Sequence, residues 1–433
     1  MEKEKRTFKI ISMGCKVNYY EKESLAAFLR SKGFTEVLDE HEPTDISIIN
    51  SCAVTEEASR KSKQMLRRTM SQNPNEISIM MGCLSQVDQS VKDIPGISIV
   101  LGANNKGKIL DVINEFEKNH KQIVDVSSDI FHSEYDNFTM DHFEAHTRAF
   151  LKVEDGCDKF CSYCLIPYAR GQVRSKPLNV AIDEVKNLVK NGHKEVVITG
   201  IHTGAYGKDL GITLYDLLKG LDEIEGLERI RISSIEINQL TDDILELTKK
   251  SHKIVHHFHI PLQAASEHVL KAMRRHYTVS EFIKRVEEIR EIIPDVSLTT
   301  DYIVGFPTES DEDFEESLKN LNIIKFDMIH TFPYSLRKGT PAANMPQVDP
   351  ETKKKRVHEV LELSKKGYSN LVKRYIGKTL DCIFEEYKEG YVYGHTGNYI
   401  YCKAEGRYAD LNKLVKVKIL KDEGKVALSE IEE

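Results

Sequence analysis

The sequence predicts an α/β protein built from three folded parts. Up to about residue 345, short apolar runs alternate with amphipathic stretches, which is typical of parallel sheets covered by helices. Beyond residue 367 the pattern changes to a period of two, which is typical of the strands of a small antiparallel β-barrel. A chain of 433 residues is also too long for one ordinary core, so several domains are expected.

The first predicted domain covers residues 1–125. Its strand-like runs are FKIIS, DISIIN, ISIMM and ISIVLG, which begin at positions 8, 45, 77 and 97. Amphipathic stretches separate these runs, and the alternation predicts a parallel sheet. Residues 126–146 are polar and show no period, so we interpret them as a linker.

The second predicted domain covers residues 147–345. It contains about six strand–helix repeats, which predict a partial (β/α)6 barrel. A basic amphipathic connector helix is expected over 346–367, and the small β-barrel is expected over 368–433.

Composition limits the possible locations and partners. The chain is 40% apolar and 30% charged, no apolar run is long enough to span a bilayer, and the charged N-terminus does not resemble a signal peptide. We therefore expect a cytoplasmic protein without a membrane partner. In a reducing compartment, eight cysteines suggest metal binding or catalysis rather than disulfides. Because the net charge is −7, any nucleic acid must bind to local basic patches.

Three cysteines lie close together in EDGCDKFCSYCLIPYARG, which starts at residue 154. Cys157, Cys161 and Cys164 have the spacing C-x3-C-x2-C. Three thiolates hold three irons of a 4Fe–4S cubane and leave the fourth iron open, which suits a catalytic centre. The alternatives are a zinc site completed by another cysteine or a histidine, and simple buried thiols.

Three further cysteines stand alone in the first domain. Cys15, Cys52 and Cys83 each follow a strand-like run, in FKIISMGC, DISIINSC and ISIMMGC. The carboxyl ends of parallel strands share one edge of a sheet, so these thiols can converge there and hold a second open cluster. The alternative is three buried structural cysteines.

These motifs resemble a known family. The C-x3-C-x2-C spacing, with Tyr163 before the last cysteine, resembles the radical S-adenosylmethionine superfamily. Together with the three lone cysteines, it makes nearly the whole chain resemble the radical methylthiotransferases, whose terminal β-barrel is of the TRAM type. The stretches GCKVNYYE (14–21) and GHTGNYIYC (394–402) resemble the threonylcarbamoyladenosine tRNA branch of that family.

The resemblance implies an activity and its cofactors. It implies transfer of a methylthio group to C2 of N6-threonylcarbamoyladenosine next to a tRNA anticodon, through a 5′-deoxyadenosyl radical. It implies two 4Fe–4S clusters and two S-adenosylmethionine molecules per turnover, with the cluster on Cys15, Cys52 and Cys83 delivering sulfur. The expected partners are the tRNA anticodon stem-loop and an electron donor such as flavodoxin or ferredoxin. The sulfur donor is not identified, and the chain is expected to be a monomer.

The resemblance also implies residues that contact S-adenosylmethionine. They lie at the ends of predicted barrel strands, where barrel active sites form: Tyr163, Thr199, Gly200, His202, Ser234, Glu236, Gln263, Ser266, Asp301, Gly305 and Pro307. Ile237 stands where the family often has proline, and Ala264 and Ala265 replace two residues of a Gln-Ser-Gly-Ser segment. Each of these polar residues also fits an ordinary turn or helix cap.

Other conspicuous residues receive structural interpretations. The histidines of HKIVHHFH (252–259) are expected to be hydrogen-bonded residues of a barrel strand, with His257 and His259 on one face and His256 on the other. Cys382 and Cys402 are expected to be ordinary thiols outside the clusters.

Candidate RNA contacts fall into three groups. Aromatic residues suited to base stacking and their polar neighbours are Tyr391, Tyr393, Tyr399, Tyr401, Lys388, His395 and Lys403. Basic residues of the connector are Lys353, Lys354, Lys355, Arg356, Lys365, Lys366, Lys373 and Arg374. The third group is the helical stretch RKSKQMLRR (60–68). The alternative interpretation of these basic runs is an ordinary helix face exposed to solvent.

Several other functions remain open at this point. Within the family, the alternatives are the isopentenyladenosine tRNA enzyme and the ribosomal-protein aspartate enzyme. The alternatives from a different class of protein are a two-cluster electron carrier and a non-catalytic iron–sulfur RNA-binding scaffold. Cleavage of S-adenosylmethionine to 5′-deoxyadenosine separates the enzyme from both of these.

Overall fold

The computed structural model describes residues 6–136, 138–140 and 147–432. These residues form two compact units. The first contains the described residues of 1–140 together with Glu154–Lys176 and Ser335–Thr340, and the second contains those of 141–153, 177–334 and 341–433. The start of the predicted first domain (1–5), part of the predicted linker (137 and 141–146) and residue 433 lie outside the described residues.

The first unit is built on one parallel sheet. Its strands are β1 (Thr7–Ser12), β2 (Thr35–Glu36), β3 (Ile46–Ser51), β4 (Ile77–Gly82), β5 (Ile99–Leu101) and β6 (Ile123–Asp125). Their order is β2-β1-β3-β4-β5-β6, with every pair parallel. The helices are α1 (Lys16–Ser31), α2 (Glu56–Gln72), α3 (Cys83–Val87) and α4 (Ile109–Asn119).

Both faces of this sheet are covered by helices. Strands β3 and β4 are buried at every residue, because side chains that alternate between the two faces meet helices on each. Ile48 packs in a core with Leu25 of α1, whereas Ile49 packs in a second core with Leu66 of α2. The predicted parallel α/β domain is confirmed, and the structure adds two short strands, β2 and β6, that the sequence did not indicate.

The chain then alternates between the units. Strand β7 (Arg148–Lys152) belongs to the second unit, and β8 (Glu154–Asp155), α5 (Ile166–Arg170) and β9 (Arg174–Ser175) belong to the first. Strands β8 and β9 pair antiparallel and bring together the two ends of the segment that carries Cys157, Cys161 and Cys164.

The main part of the second unit is a partial barrel. After β7, its strands are β10 (Glu195–Thr199), β11 (Arg229–Ile232), β12 (His257–His259), β13 (Ser297–Val304) and β14 (Met328–Pro333). Strands β7, β10 and β11 form one parallel sheet and β12, β13 and β14 another. An isolated parallel bridge pairs Ile230 of β11 with Ile254, three residues before β12. The predicted six-stranded (β/α) barrel is confirmed.

Helices follow the barrel strands. They are α6 (Leu178–Lys190), α7 (Leu214–Asp222), α8 (Asp242–Lys250), α9 (Glu267–Ala272), α10 (Val279–Ile292), α11 (Asp311–Ile324) and α12 (Pro350–Tyr375). Capping boxes fix the starts of three of them: Thr213 with Asp216, Thr278 with Glu281, and Ser310 with Asp313. Short 3-10 turns lie at Gln89–Asp93, Lys106–Lys108, Thr203–Ala205, Ile237–Gln239, Pro341–Asn344 and Tyr408–Asp410.

A closed five-stranded β-barrel ends the chain. Its strands are β15 (Thr379–Lys388), β16 (Tyr391–Thr396), β17 (Tyr401–Glu405), β18 (Leu414–Asp422) and β19 (Ala427–Ile431). They close in the order β15-β16-β17-β19-β18, and the β17–β19 pair is parallel whereas the other pairs are antiparallel. The apolar core of this barrel includes Phe384, Val392 and Val417 and continues onto Leu371 and Val372 of α12.

The predicted domain boundaries stay a prediction, because the compact units are built from non-contiguous segments. The predicted connector helix corresponds to α12, which continues past residue 367 to Tyr375. Of the helices in the described residues, none combines the length and the hydropathy needed to cross a bilayer.

Candidate cluster sites

The sheet of the first unit brings the three lone cysteines to one edge. Strand β1 lies beside β3, and β3 lies beside β4, with Ser12 paired to Asn50 and Ser51 paired to Gly82. The carboxyl ends of the three strands are therefore level. Cys52 and Cys83 follow the ends of β3 and β4 directly, and Cys15 follows β1 after Met13 and Gly14, so all three lie at the edge that the sequence predicts.

The strand order marks the same edge as a binding crevice. In open parallel sheets, ligands bind outside the carboxyl ends where the order of strands reverses. Here β2 lies on one side of β1, and β3 to β6 continue on the other. The reversal therefore falls between β1 and β3, the strands that precede Cys15 and Cys52.

A glycine allows two of these segments to approach closely. Gly14 has a φ of +98°, and a Cβ atom at this position would lie 2.5 Å from the Sγ of Cys52. A side chain at position 14 would thus both strain the backbone and displace the thiol. The glycine that precedes Cys15 in the sequence motif is therefore required for steric reasons.

The three sulfurs differ in exposure and partners. Cys15 is exposed, whereas Cys52 and Cys83 are buried. The Val54 N–H donates a hydrogen bond of 3.5 Å to the Sγ of Cys52, and the Nε of Arg170 donates one of 3.1 Å to the Sγ of Cys83. Burial, and to a smaller extent the thiol of Cys83, raise the pKa of Cys52 to about 12. This thiol stays protonated at neutral pH unless a metal displaces its proton.

The second cysteine group lies on a loop closed by backbone contacts. The N–H of Cys157 donates to the carbonyl of Gly171 at 2.9 Å, and the N–H of Cys164 donates to that of Cys161 at 3.0 Å. Gly156 has a φ of +89°, and a Cβ atom there would overlap the carbonyl of Gln172. These contacts hold the loop in a tight turn just before Cys157.

The same loop gives its sulfurs the environment of cluster ligands. The N–H of Ile166 donates to the Sγ of Cys164 at 3.4 Å. Burial raises the pKa of Cys157 to about 12, and the thiols of Cys164 and Cys161 add to the shift. Three closely spaced thiols, one of which accepts a backbone N–H bond, fit a cubane cluster, whose potential depends on such hydrogen bonds.

Neither cysteine group is spaced for a single ion. Among the described residues, no set of three or more His, Cys, Asp and Glu side chains is placed to hold one metal ion. A cubane does not require that convergence, because each thiolate binds a different iron.

Arg170 is the central polar residue that the sequence analysis missed. It ends α5, has a fully buried side chain, and contacts Cys83 and several residues of the first unit. Its Nη1 donates to Glu21 at 2.8 Å and to Asp155 at 3.0 Å, and its Nη2 donates to Asn18 at 3.0 Å. No sequence motif distinguishes this arginine from the other basic residues near it.

Some predicted cofactor contacts lie around the ends of β10 and β11. Thr199 is buried, and the hydroxyl of Ser233 donates to its hydroxyl at 3.4 Å. The carboxylate of Glu236 lies 3.6 Å from His202 and 2.7 Å from Arg275. The structure thus brings Glu236 and His202 together and adds Arg275, which the sequence did not indicate. Tyr163, Gly200 and Ser234 are half-buried.

The remaining predicted contacts lie at the ends of β12 and β13. Gln263 adopts a left-handed φ of 66°, and its N–H donates to the carbonyl of Asp301 at 2.9 Å. The carboxylate of Asp301 lies 3.3 Å from the Nε2 of His259. Ser266 is buried and donates to Asp313 at 2.7 Å, so its hydroxyl supports the start of α11.

The histidine run and the last two cysteines have structural surroundings. His256 lies 2.7 Å from Asp295, and the side chains of His257 and His259 lie 3.1 and 2.9 Å from the hydroxyl of Thr299. Cys382 and Cys402 are fully buried in the core of the terminal barrel.

Four of the predicted RNA-contact residues lie together on the outside of the terminal barrel. On β16, Tyr391 and Tyr393 point outward, while Val392 points into the barrel core. The ring of Tyr393 stacks on that of Tyr401 with centroids 6.0 Å apart, and the Nζ of Lys403 lies 4.2 Å from the ring centre of Tyr391. We call these four residues the outer tyrosine strip.

Two of the predicted RNA-contact residues, Tyr399 and Arg356, have partners within the second unit. The ring of Tyr399 stacks between His257 and His395, at centroid distances of 4.5 and 4.8 Å. Arg356 is buried and pairs with Glu309 at 2.6 Å, so it is not part of the basic surface of α12.

Comparison with known proteins identifies similar domains. Residues 151–321 match the model described as the Radical SAM superfamily, whose members use a 4Fe–4S cluster and S-adenosylmethionine. Residues 7–102 match the model described as Uncharacterized protein family UPF0004. The first match includes Cys157, Cys161 and Cys164, and the second includes the three strand-end cysteines.

Several curated proteins are similar over nearly the full length. Threonylcarbamoyladenosine tRNA methylthiotransferase MtaB of Bacillus subtilis is 40% identical, over 95% of this chain and 93% of its own. MtaB of Thermotoga maritima is 39% identical, over 98% of this chain and 96% of its own. The tRNA-2-methylthio-N6-dimethylallyladenosine synthase of Clostridium botulinum is 34% identical, over 96% and 94%.

Solved structures are similar in fold. The radical S-adenosylmethionine methyltransferase TsrM of Kitasatospora setae aligns with a TM-score of 0.61 and 11% identity, over 78% of this chain and 75% of its own. The cobalamin-dependent radical enzyme OxsB aligns with a TM-score of 0.51 and 12% identity, over 84% of this chain and 56% of its own.

Proposed function

Because the chain belongs to the radical S-adenosylmethionine methylthiotransferase family, we propose that it adds a methylthio group to C2 of N6-threonylcarbamoyladenosine beside a tRNA anticodon. The observation that carries the choice of substrate is the near-full-length identity of about 40% to MtaB relatives, against 34% to a dimethylallyladenosine synthase. The two cysteine groups of the first unit support the reaction class.

Two clusters are part of the proposal. Cys157, Cys161 and Cys164 would hold the cluster of the radical domain, and Cys15, Cys52 and Cys83 would hold an auxiliary cluster that delivers the sulfur. With S-adenosylmethionine bound, two molecules per turnover, these groups supply the radical, the sulfur and the methyl group. The chain contributes thiolate ligands, N–H donors to sulfur, and the glycine contacts that set the loops.

Residues at the barrel strand ends are proposed to bind S-adenosylmethionine. Thr199, Gly200, Ser234, Glu236, Gln263 and Asp301 are the proposed set, with Tyr163 on the cysteine loop. The pairing of Glu236 with Arg275 supports a fixed position for this carboxylate, so that it accepts hydrogen bonds from the amino or ribose groups of a ligand. The backbone of Gln263 is left-handed and is held by its N–H bond to the carbonyl of Asp301. This fixed backbone supports a defined position for the polar side chain of Gln263.

The outer tyrosine strip is proposed to contact tRNA. Aromatic rings offer stacking surfaces to unpaired bases, and lysines contact phosphates. Helix α12 adjoins this strip, since the Tyr368 hydroxyl accepts from the N–H of Tyr401 at 3.1 Å. Its exposed Lys365, Lys366 and Lys373 supply positive charge on a chain whose overall charge is negative.

The remaining partners follow from the chemistry. A reduced flavodoxin or ferredoxin is proposed as the electron donor, because cluster reduction needs one electron at low potential. We propose that the chain works as a monomer in the cytoplasm, where its tRNA substrate is found.

The test is an anaerobic assay with defined substrates. The reconstituted protein receives S-adenosylmethionine, a reductant and an anticodon stem-loop that carries threonylcarbamoyladenosine, isopentenyladenosine or unmodified adenosine. Mass spectrometry is expected to find the methylthio product on the first substrate only, together with 5′-deoxyadenosine. Product on isopentenyladenosine alone would assign the chain to the other tRNA branch, and 5′-deoxyadenosine without product on any stem-loop would contradict the tRNA substrate.

Matched cysteine variants control this assay. Cys161→Ala is expected to abolish 5′-deoxyadenosine formation, whereas Cys402→Ala removes another buried thiol, from the terminal barrel core, and is expected to leave it unchanged. Equal activity of the two variants would exclude the radical site.

A further inference from the structure

We propose that Arg170 is a positioning residue for the auxiliary cluster, holding Cys83 in place and balancing the charge of its thiolate. The inference rests on the proposed function, since it requires a cluster on Cys15, Cys52 and Cys83. Arg170 lies six residues after Cys164 in sequence, so a residue next to the radical-domain cysteines would set the properties of the other cysteine group.

The first argument is geometric. The Nε of Arg170 lies 3.1 Å from the Sγ of Cys83, and this is the guanidinium nitrogen that the other bonds leave for the thiol. Nη1 and Nη2 are engaged by the carboxylates of Glu21 and Asp155 and by the amide oxygen of Asn18. A planar group held on two sides has little freedom, so the direction of its Nε–H is fixed.

The second argument concerns the anchors. Asp155 belongs to β8, which closes the cysteine loop, while Asn18 and Glu21 belong to α1, which begins directly after Cys15. Asn18 also donates to the carbonyl of Met13 at 2.6 Å. Arg170 therefore joins the segment carrying Cys15 to the helix carrying Cys83, and the positions of these two ligands depend on one side chain.

The third argument concerns charge. Around Arg170 the two buried carboxylates, Glu21 and Asp155, pair with three cations, because Lys106 lies 3.0 Å from Glu21 and Arg174 lies 3.6 Å from Asp155. Arg170 also donates to the Sγ of Cys83 at 3.1 Å, so its positive charge lies at a sulfur as well as at the carboxylates. Iron binds the thiolate form of cysteine, and a guanidinium at hydrogen-bond distance stabilises the negative charge of that sulfur.

Two measurable properties follow. Groups that orient metal ligands typically change metal affinity by ~10–100-fold when they are replaced. A positive charge and an N–H donor at a ligand sulfur favour the reduced, more negative cluster, so they raise its reduction potential. Loss of Arg170 should therefore speed iron loss and lower the potential of the auxiliary cluster.

The experiment uses the full chain with Cys157, Cys161 and Cys164 replaced by alanine, so that only the auxiliary cluster is observed. This parent is compared with Arg170→Gln and Arg170→Lys in the same background. The readouts are iron per chain, the rate of iron loss to a chelator, and the midpoint potential from a redox titration followed by EPR. Thermal unfolding reports whether each variant is folded.

Arg170→Gln is expected to lose iron at least ~10-fold faster than the parent and to have a lower midpoint potential. Arg170→Lys keeps the charge but loses the forked geometry, so its potential should return toward that of the parent. Arg174→Gln is the matched control: Arg174 is also buried and donates to the Arg170 carbonyl at 2.7 Å, and its side chain is bonded to oxygen atoms rather than to a thiol. It should leave the potential unchanged.

The possible outcomes separate the two proposals. Suppose that the parent binds about four irons and that Arg170→Gln has the same rate of iron loss and the same midpoint potential. This result would overturn the role of Arg170 and leave the auxiliary cluster in place. Equal potential shifts in Arg170→Gln and Arg174→Gln reduce Arg170 to a structural residue and also overturn the inference. A parent without iron removes the auxiliary cluster from the proposed function, and the inference with it. If Arg170→Gln does not fold, Arg170→Lys decides: iron loss at the parent rate overturns the inference.

Discussion

In the first unit one buried guanidinium, that of Arg170, lies among two carboxylates and a thiol, whereas in the second unit one buried carboxylate, that of Glu195, lies among guanidiniums. Glu195 pairs with Arg231 at 2.9 Å and with Arg229 at 3.2 Å. Burial by itself would raise its pKa, but the charges of Arg231, Arg229 and Arg148 outweigh burial and lower the pKa of Glu195 to about 2.

The guanidinium groups have different further partners in the two networks. Beside Glu195 these partners are backbone carbonyls of the terminal barrel: Arg229 donates to those of His395 and Asp381, and Arg231 donates to those of Thr396 and Gly397. Beside Glu21 and Asp155, the further partner of Arg170 is the thiol of Cys83. Buried arginines thus fasten a chain segment in one unit and, in our proposal, hold a cofactor ligand in the other.

The largest expected effect comes from removing the centre of the second network. Glu195→Gln leaves the buried arginines without a counter-charge, so we expect it to lower the free energy of unfolding of the second unit by about 3–5 kcal/mol. Hydrogen exchange of β10 and β11 under mild urea measures the loss. Iron bound by Cys15, Cys52 and Cys83 should not change, and a parallel loss of that iron would remove the distinction between the two networks.

Low pH should also lower the free energy of unfolding of the wild-type protein, because it protonates Glu195. The folded-state pKa of about 2 lies below the ~4.3 of an unfolded glutamate, so the stabilisation by Glu195 is present above pH ~4.3 and is lost as the pH falls toward 2. Two pH units correspond to roughly 3 kcal/mol. The stability difference between wild type and Glu195→Gln should shrink as the pH falls from 4.5 to 2, and a constant difference would contradict the ion-pair account.

Tyr399 tests how the terminal barrel is fastened. Its ring lies between two histidines and under the guanidinium of Arg231, 5.0 Å from ring centre to guanidinium carbon. Tyr399→Ala should cost about 2 kcal/mol, because stacking and cation–π contacts are lost at a half-buried site. Faster hydrogen exchange of residues 395–401 measures it. Unchanged exchange there would show that the ring is not part of the attachment.

Tyr393 is the matched outward-facing tyrosine of the same barrel. Tyr393→Ala should leave unfolding nearly unchanged and weaken binding of the anticodon stem-loop by ~1–2 kcal/mol, the typical value of one base stacked on an aromatic ring. Fluorescence anisotropy with a labelled stem-loop at fixed salt measures this. An equal loss of affinity in Tyr399→Ala, at a temperature where that variant is folded, would contradict the separation of outer and inner tyrosines.

Long-range placement was predictable where a simple geometric rule applied. Cys15, Cys52 and Cys83 are far apart in sequence, but parallel strands have their carboxyl ends on one edge, so three strand-end cysteines had to be neighbours if the sheet formed. The six barrel strands were predictable for a similar reason, since each is a clear apolar run followed by an amphipathic helix.

Other features depend on contacts that no local pattern encodes. Strand β2 has two residues, too few for a period, although its position creates the strand reversal beside β1. Tyr399 shares the period-two pattern of Tyr401. However, its backbone has a φ of 69°, and its ring contacts Arg231 and His257 of the partial (β/α) barrel. Arg356 lies in a lysine-rich run and is buried because Glu309 faces it. Arg170 could be recognised only once Glu21, Asp155 and Cys83 were seen around it.

In our proposal this chain carries two separate clusters, each open at one iron. The most direct test is anaerobic reconstitution with iron and sulfide, followed by iron counting on wild type and on two triple alanine variants, one at Cys157, Cys161 and Cys164 and one at Cys15, Cys52 and Cys83. Two independent cubanes would give about eight irons in wild type and about four in each variant. About four irons in wild type, all lost with the first variant and retained in the second, would contradict it and leave a radical enzyme with one cluster.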